Sequence, residues 1–151
     1  MLSSLVHGVV NLFQRARRLL WFFTNPETAG VHAIALTPAG SVVLVTLSYA
    51  EGWRLPGGGR GREEEAKVAV LRELREEIGM TSHGGVQEIA RFSHCPDFRN
   101  DRSNLFIVRD VIYAPRWSLE IKAVQEFELK HLPAETAHIT RQLIATASEH
   151  L

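Results

Sequence analysis

The chain has 151 residues, of which 45% are hydrophobic and 23% charged, and its 17 Lys plus Arg balance 17 Asp plus Glu. This composition is that of one globular domain, and it excludes a disordered chain, a fibrous repeat and a repeat array. The zero net charge argues against a protein that grips duplex nucleic acid over a broad basic face. Cys95 is the single cysteine, so an internal disulfide and a Cys-rich zinc site are excluded, and we expect a cytoplasmic protein.

The N-terminal segment 1–24 is mostly apolar but is interrupted by Arg15, Arg17 and Arg18. Its longest apolar run, residues 19–23, is far shorter than the roughly 20 residues that cross a bilayer. Apolar residues recur at helical spacing, which predicts an amphipathic helix in 1–24 ahead of a domain in 25–151. We expect its apolar face to pack on the domain or to form a homodimer, and peripheral contact with a membrane is the less favoured alternative.

The first half of the domain predicts strands followed by a helix. Two runs rich in Val, Ile and Leu, 31–36 and 41–47, flank a Thr-Pro-Ala-Gly turn and predict a hairpin. A short extended piece at 52–55 ends at Pro56, where a loop is expected to begin. Residues 63–78 contain neither Gly nor Pro and predict a helix that stops at Gly79.

The second half predicts further strands and a closing helix. Strands are expected at 86–93, 105–113 and 121–129, with a polar loop at 94–104. Ile139, Leu143 and Ala147 are spaced by four residues, which predicts a helix over 134–147. The order of elements indicates the α/β class.

Three glutamates lie close together on the predicted central helix. Glu73, Glu76 and Glu77 occupy positions i, i+3 and i+4, so their carboxylates converge on one face and repel one another. A divalent cation turns such a cluster into an oxygen-rich coordination site, and Mg²⁺ fits best, with Mn²⁺ as a substitute. The alternative is a solvated acidic face that is neutralised by neighbouring cations, namely Lys67, Arg72 and Arg75.

A run of glycines precedes this helix. Gly57, Gly58, Gly59 and Gly61 allow the backbone to approach a metal or a phosphate closely. The run is no Walker loop, because no Lys-Ser or Lys-Thr pair follows it, and it lacks the glycine spacing of a dinucleotide fingerprint. The glycines are therefore informative only together with the glutamates.

Read together, these residues resemble the Nudix box, G-x5-E-x7-R-E-U-x-E-E-x-G-U, in which U is a bulky apolar residue. Gly58 opens the pattern, Glu64 follows after five residues, and Arg72-Glu73-Leu74-Arg75-Glu76-Glu77-Ile78-Gly79-Met80 completes it after seven more. Every fixed position from Gly58 to Met80 is filled, and the resemblance extends over residues 30–145. Two positions depart from common family usage: Glu63 stands where a glycine is frequent, and Glu126 where a tryptophan is frequent.

The resemblance to the Nudix family implies an α/β/α sandwich with a mixed β-sheet. It also implies Mg²⁺-dependent hydrolysis of a nucleoside diphosphate linked to another group. Carried over residue by residue, the resemblance makes Glu73, Glu76 and Glu77 the principal metal ligands. It places Glu64 and the Gly57 carbonyl beside them, and Arg72 as the residue that orients the glutamates.

The general base and the substrate contacts are less sharply defined by the sequence. Glu73 is preferred as the base, and Glu120, expected on the late strand, is the alternative base, an additional metal ligand or an ordinary surface carboxylate. Arg54, Trp53 and Tyr49 are the candidates for substrate binding, although aromatic residues at a strand end commonly serve packing.

Three hypotheses about function follow from the resemblance. A nucleoside diphosphate sugar or a related small-molecule nucleotide is favoured, and a nucleoside triphosphate is the nearest enzymatic alternative. A non-catalytic Nudix-fold regulatory module that binds nucleotides is the third hypothesis. The intact set of glutamates argues against this third hypothesis.

Overall fold

The computed structural model describes residues 29–94 and 101–151. The predicted N-terminal helix and Cys95 lie outside these residues, so the boundary between 1–24 and 25–151 stays a prediction. The elements in chain order are β1 (Ala29–Ala35), β2 (Val42–Leu47), β3 (Ala50–Arg54), β4 (Gly57–Arg60), α1 (Ala66–Glu77), β5 (Met80–Ser82), β6 (Val86–His94), β7 (Asp101–Val108), β8 (Ile112–Tyr113), β9 (Ile121–Phe127), α2 (His138–Thr146) and a 3₁₀ turn (Ser148–His150).

The strands form a four-stranded sheet in the order β4-β1-β7-β6, a three-stranded sheet in the order β3-β2-β9, and a small β5-β8 ribbon. Strands β1 and β7 run parallel, whereas the other pairs are antiparallel. This arrangement confirms the predicted mixed sheet. Among the described residues, no helix is sufficiently long and apolar to cross a membrane.

Two hydrophobic cores lie on opposite faces of the strands. Val31 and Ala33 of β1 belong to the core that also contains the buried face of α1, whereas Ile34 belongs to the core that contains α2. Successive side chains of a strand point to opposite faces, so one strand contributes to both cores. The predicted α/β/α sandwich is thereby confirmed, and Leu143 and Ala147 of the predicted closing helix are both buried in the second core.

The predicted hairpin of the first two strands is wrong as a pairing. The two strands lie at the expected positions, but β1 belongs to the four-stranded sheet and β2 to the three-stranded one, with only a Leu36–Val42 bridge between them. Both strands bury side chains on their two faces, so each is an interior strand with other partners on its edges. The turn itself forms as expected, with Gly40 at a φ of 82°.

The loop expected after Pro56 is also wrong, because the glycines Gly57 to Gly59 belong to strand β4, which pairs antiparallel with β1. A Cβ atom on Gly57 would lie 2.1 Å from the carbonyl oxygen of Val31, so only glycine permits this close pairing.

Helix α1 begins at Ala66, three residues later than predicted. The reason is a turn in which the Glu64 N–H donates to the Gly61 carbonyl, 3.2 Å away, and the Gly61 N–H donates to the Glu64 carboxylate, 3.3 Å away. The helix stops as predicted, since Gly79 has a φ of 71° that a residue with a side chain rarely adopts.

The strand predicted over 105–113 is interrupted. Asp110 adopts a φ of 53°, which ends β7 at Val108 and separates it from the short β8. Residues 101–104, which were expected in the polar loop, instead belong to β7, where Asn104 pairs in register with Val31 of β1 and Arg91 of β6.

Candidate active site

Strand β4 and helix α1 bring the box carboxylates against the glycine backbone. The Gly57 N–H donates to Oε2 of Glu77 at 2.9 Å, and the Glu77 side chain is buried. A Cβ atom on Gly58 would lie 2.7 Å from the carboxyl carbon of Glu73, so the absence of a side chain makes the space that Glu73 occupies. The glycines therefore contribute close contact with the acidic face of α1.

Arg72 joins the glutamates into one hydrogen-bonded network. Its guanidinium donates to both oxygens of Glu64, at 2.8 and 3.2 Å, and to Oε1 of Glu73 at 2.8 Å. It also reaches Oε2 of Glu76 at 3.4 Å and the Gly59 carbonyl at 2.9 Å. The contact with Glu76, an i, i+4 pair within the helix, is the longest of these contacts.

Glu120 lies next to this network although it is more than forty residues further along the chain. Glu120 was expected on the late strand, and this expectation is wrong, because Glu120 immediately precedes β9. Its backbone is fixed by the Ser118 hydroxyl, which accepts hydrogen bonds from the N–H groups of Glu120 and Ile121 at 3.1 and 3.2 Å. The Tyr49 hydroxyl donates to Oε1 of Glu120 at 3.1 Å.

The carboxylates share a poorly solvated site. Burial raises the pKa of Glu73 to about 7, although Arg72 opposes the shift, and the charges of Glu76 and Glu120 add to it. Burial also raises the pKa of Glu77 well above its ordinary range, with a further contribution from the charge of Glu73. Glu120 contributes to both shifts, which shows that it belongs to the same electrostatic cluster.

The candidate substrate-binding residues are not all in the same environment. Tyr49 is half exposed and adjoins the cluster, since its pKa is raised by burial and by the charges of Glu120 and Glu77. Arg54 also acts on Tyr49 electrostatically, and its Nε atom is buried without a hydrogen-bond partner among the described residues. The Trp53 ring instead packs edge-on against Phe127, with the ring centroids 4.9 Å apart.

Sequence reasoning missed the residues that hold Glu120 in place. Ser118 carries no motif, and Tyr49 was considered only as a stacking residue. The available signal was weak: a serine two residues before the end of a loop is a common way to cap backbone N–H groups. The serine would have been informative only if Glu120 had already been identified as a site residue.

Comparison with known proteins agrees with this geometry. The family model described as NUDIX domain matches residues 26–146. The RNA pyrophosphohydrolase of Acidiphilium cryptum (strain JF-5) is 30% identical over 131 residues, covering 72% of this chain and 80% of that protein.

Two solved structures show the same fold. The MutT Nudix hydrolase from Burkholderia pseudomallei has a TM-score of 0.68 at 24% identity and covers 80% of this chain and 97% of its own. The Nudix domain of Shewanella oneidensis NrtR, solved with ADP ribose, has a TM-score of 0.68 at 20% identity and covers 82% of this chain and 88% of its own.

The chain forms an α/β/α sandwich in which the glycine strand β4 faces the glutamates of helix α1. This arrangement is that of a hydrolase of phosphate anhydrides. The chain belongs to the Nudix family and is a pyrophosphohydrolase of that family. Members of the family use divalent cations.

The residues present fit a hard divalent cation. Buried carboxylates that repel one another are stabilised by such an ion, and carboxylate oxygens are the ligands that it prefers. Within the described residues, acidic, histidine and cysteine side chains do not already form a closed cluster of three ligands. The reason is that Arg72 binds oxygens of Glu64, Glu73 and Glu76, while the Gly57 N–H binds Glu77.

Proposed function

We propose that the chain hydrolyses the pyrophosphate bond of a nucleoside diphosphate linked to another group, with Mg²⁺ as the cation and nucleoside diphosphate sugars as the favoured substrates. The observation that supports this function is the convergence of Glu73 and Glu77 beside strand β4, with the charge of Glu120 acting on both carboxylates. The ADP ribose bound by the NrtR Nudix domain is a nucleoside diphosphate joined to a sugar, and it supports the substrate class.

The proposed roles follow from the hydrogen bonds. The cation would be held by Glu73, Glu76, Glu77, Glu64 and the Gly57 carbonyl. When bound, it neutralises the charge of the leaving phosphate. Arg72 orients Glu64 and Glu73 and ties them to the Gly59 carbonyl. Glu73 accepts the proton of the attacking water.

Glu120 supports the reaction through its charge, which acts on Glu73 and Glu77. Tyr49 donates to its carboxylate and therefore acts as a positioning residue, while the exposed part of the Tyr49 ring remains a candidate for stacking on substrate. Arg54 brings a guanidinium whose buried Nε has no acceptor among the described residues, and phosphate oxygens are good acceptors for a guanidinium. The role of Trp53 in substrate binding stays a prediction, and its contact with Phe127 favours packing.

A module that only binds nucleotides is disfavoured by the cost of the site. Two carboxylates with raised pKa values, Glu73 and Glu77, destabilise the metal-free fold, and a module that only binds nucleotides has no need of them. A nucleoside triphosphate is the second candidate substrate, and the name of the A. cryptum relative adds RNA with a 5′ pyrophosphate bond to the compounds that merit testing.

The test is release of phosphate-containing products from a panel of these compounds in the presence of Mg²⁺. We expect EDTA to abolish activity, and Glu77→Gln to lower kcat at least about a hundredfold, the range observed when a group that stabilises charge in the transition state is removed. Glu128→Gln removes an exposed carboxylate and serves as the matched control. Full activity of Glu77→Gln would show that the metal assignment is wrong.

A further inference from the structure

A polar cavity of about 510 Å³ lies at the N-terminal end of α1. It is located at the end of the four-stranded sheet where β4 ends and where β1 and β7 begin. Arg60 and Arg102 both pair in register with Ala29 at this end. Arg60, Lys67, Arg91 and Arg102 line it, whereas the clustered carboxylates of Glu73, Glu77 and Glu120 do not. The cavity is therefore separate from the acidic site, although Arg60 directly follows the glycines of that site.

The charges that line this cavity are unequal. Four cationic side chains face two carboxylates, Glu65 and Glu88. Glu88 is already bound by Arg91 and by the Asn104 side chain, and these hydrogen bonds lower its pKa. Among the residues that the structure describes, Arg60, Lys67 and Arg102 form no ion pair. The cavity thus has an excess of positive charge.

Arg60 adds a buried donor that lacks an acceptor. Its Nε atom is buried and has no hydrogen-bond partner in the described part of the chain. A buried N–H without an acceptor is costly, and the Arg60 guanidinium, which lines the cavity, would satisfy it by reorienting toward an anionic oxygen there. Guanidinium groups match the oxygens of a phosphate particularly well, because they present several N–H donors in one plane.

The distance from the acidic site sets what this anion can be. Gly57, which contacts Glu77, and Arg60 are separated by three residues of extended strand, or about 10 Å. We propose that Arg60, Lys67 and Arg102 form a phosphate-binding subsite for a phosphate group that the substrate carries away from its scissile pyrophosphate. This inference rests on the proposed hydrolysis of a pyrophosphate bond. Because a nucleoside diphosphate sugar carries no further phosphate, the subsite favours RNA with a 5′ pyrophosphate bond among the compounds proposed for testing. Binding at the subsite needs neither the cation nor turnover.

The variants for the test remove two cations from the cavity rim. Lys67→Gln combined with Arg102→Gln leaves the residues of the acidic site unchanged, and both positions are exposed, so the fold is expected to persist. Lys130→Gln combined with Arg141→Gln removes the same two charges elsewhere on the surface and is the matched control. Arg60 is left intact because it adjoins Gly59, whose carbonyl is bound by Arg72.

Binding is measured on the full chain in EDTA by amide chemical shifts. The two probes are inorganic phosphate and a five-nucleotide RNA with a 5′-hydroxyl, which contains phosphodiesters but no pyrophosphate. We expect phosphate to shift the amides of Ala66, Lys67 and Ser103, and its Kd to rise at least about tenfold in the cavity variant, as expected for lost charge-assisted hydrogen bonds. The control variant is expected to stay within about twofold of the unmodified chain.

The two probes distinguish the source of the phosphate. If the RNA binds and loses affinity in the cavity variant, the subsite takes a phosphate of an extended substrate. If only inorganic phosphate behaves in this way, the subsite exists but takes the free anion. The proposal is overturned if neither probe shifts these amides, or if the cavity variant binds both probes as the control variant does. Mg²⁺-dependent hydrolysis, measured in parallel, reports on the proposed function independently.

Discussion

Glu77 carries a carboxylate that is deeply buried in the fold. Its side chain is 7% exposed and accepts the Gly57 N–H, while the nearby charge of Glu73 repels it. Because burial raises its pKa in the folded state above the unfolded value, the unfolded chain loses this proton at lower pH. The stability of the metal-free protein therefore decreases as pH rises above the unfolded pKa of 4.5 and through the folded pKa.

This linkage predicts a pH-dependent effect of neutralising Glu77. In EDTA, Glu77→Gln is expected to melt at a higher temperature than the unmodified chain at pH 8, and the difference is expected to shrink at pH 5. The measurement is Tm across this range for both proteins, with Glu128→Gln as the control. A difference that is constant with pH would contradict the assignment of the buried charge to Glu77.

The division of labour between Glu73 and Glu120 is a second question at this scale. A base that also binds the cation should lose metal affinity and turnover together when it is changed to Gln, whereas a carboxylate outside the metal shell should lose only turnover. We expect the larger loss of kcat for Glu73→Gln and a loss of about tenfold for Glu120→Gln. Mg²⁺ titrations of kcat at several pH values separate the two. If Glu120→Gln is nearly inactive while high Mg²⁺ rescues Glu73→Gln, the two roles are exchanged.

At the scale of elements, the site depends on β4 being a strand without side chains. The two neighbouring glycines differ in what an added Cβ atom would meet. At Gly57 it would lie 2.1 Å from the backbone oxygen of Val31, which cannot move without breaking the sheet. At Gly58 it would lie 2.7 Å from the end of the flexible Glu73 side chain, which can move.

These contacts predict different phenotypes for two similar substitutions. Gly57→Ala is expected to destabilise the fold by about 2 kcal/mol or more, seen as a Tm lower by about 4–8 °C. Gly58→Ala is expected to change Tm little but to lower kcat at least about tenfold, because Glu73 is displaced. Gly85→Ala, where an added Cβ atom meets nothing within 4 Å, is the control for both. Equal effects of the first two substitutions on Tm and kcat would contradict this division.

At the scale of the whole molecule, the N-terminal segment is the main sequence feature that the acidic site does not use. Apolar residues recur at helical spacing in 1–24 and are expected to pack away from water. They would pack against the domain or against a second copy of the chain. The family match begins at residue 26, so this segment lies outside the shared domain.

Removal of this segment tests the packing prediction. A chain that begins at Asn25 is expected to have either fewer subunits per particle or a lower Tm than the full-length chain. Light scattering and thermal melts measure the two quantities, and liposome sedimentation tests the membrane alternative separately. An unchanged number of subunits together with an unchanged Tm would show that the segment does not pack on the protein.

The acidic helix face and the end of that helix could be predicted from the residues alone. The spacing of Glu73, Glu76 and Glu77 fixes their common face because a helix has a constant rotation per residue, and Gly79 ends the helix through a local backbone angle. These features depend on neighbours within a few residues. The mixed sheet and the sandwich followed from the family resemblance, which the complete box carried.

The pairing of the strands and the contacts between distant residues could not be predicted in this way and are seen only in the folded chain. The glycines form a strand because β1 accepts them at its edge, and β1 and β2 separate because each buries both faces among other partners. Tyr49 meets Glu120 across 71 positions of the chain, and Arg102 reaches the end of α1 through its pairing with β1. Such contacts are set by strand pairing and by burial over the whole core, and no local pattern of residues specifies them.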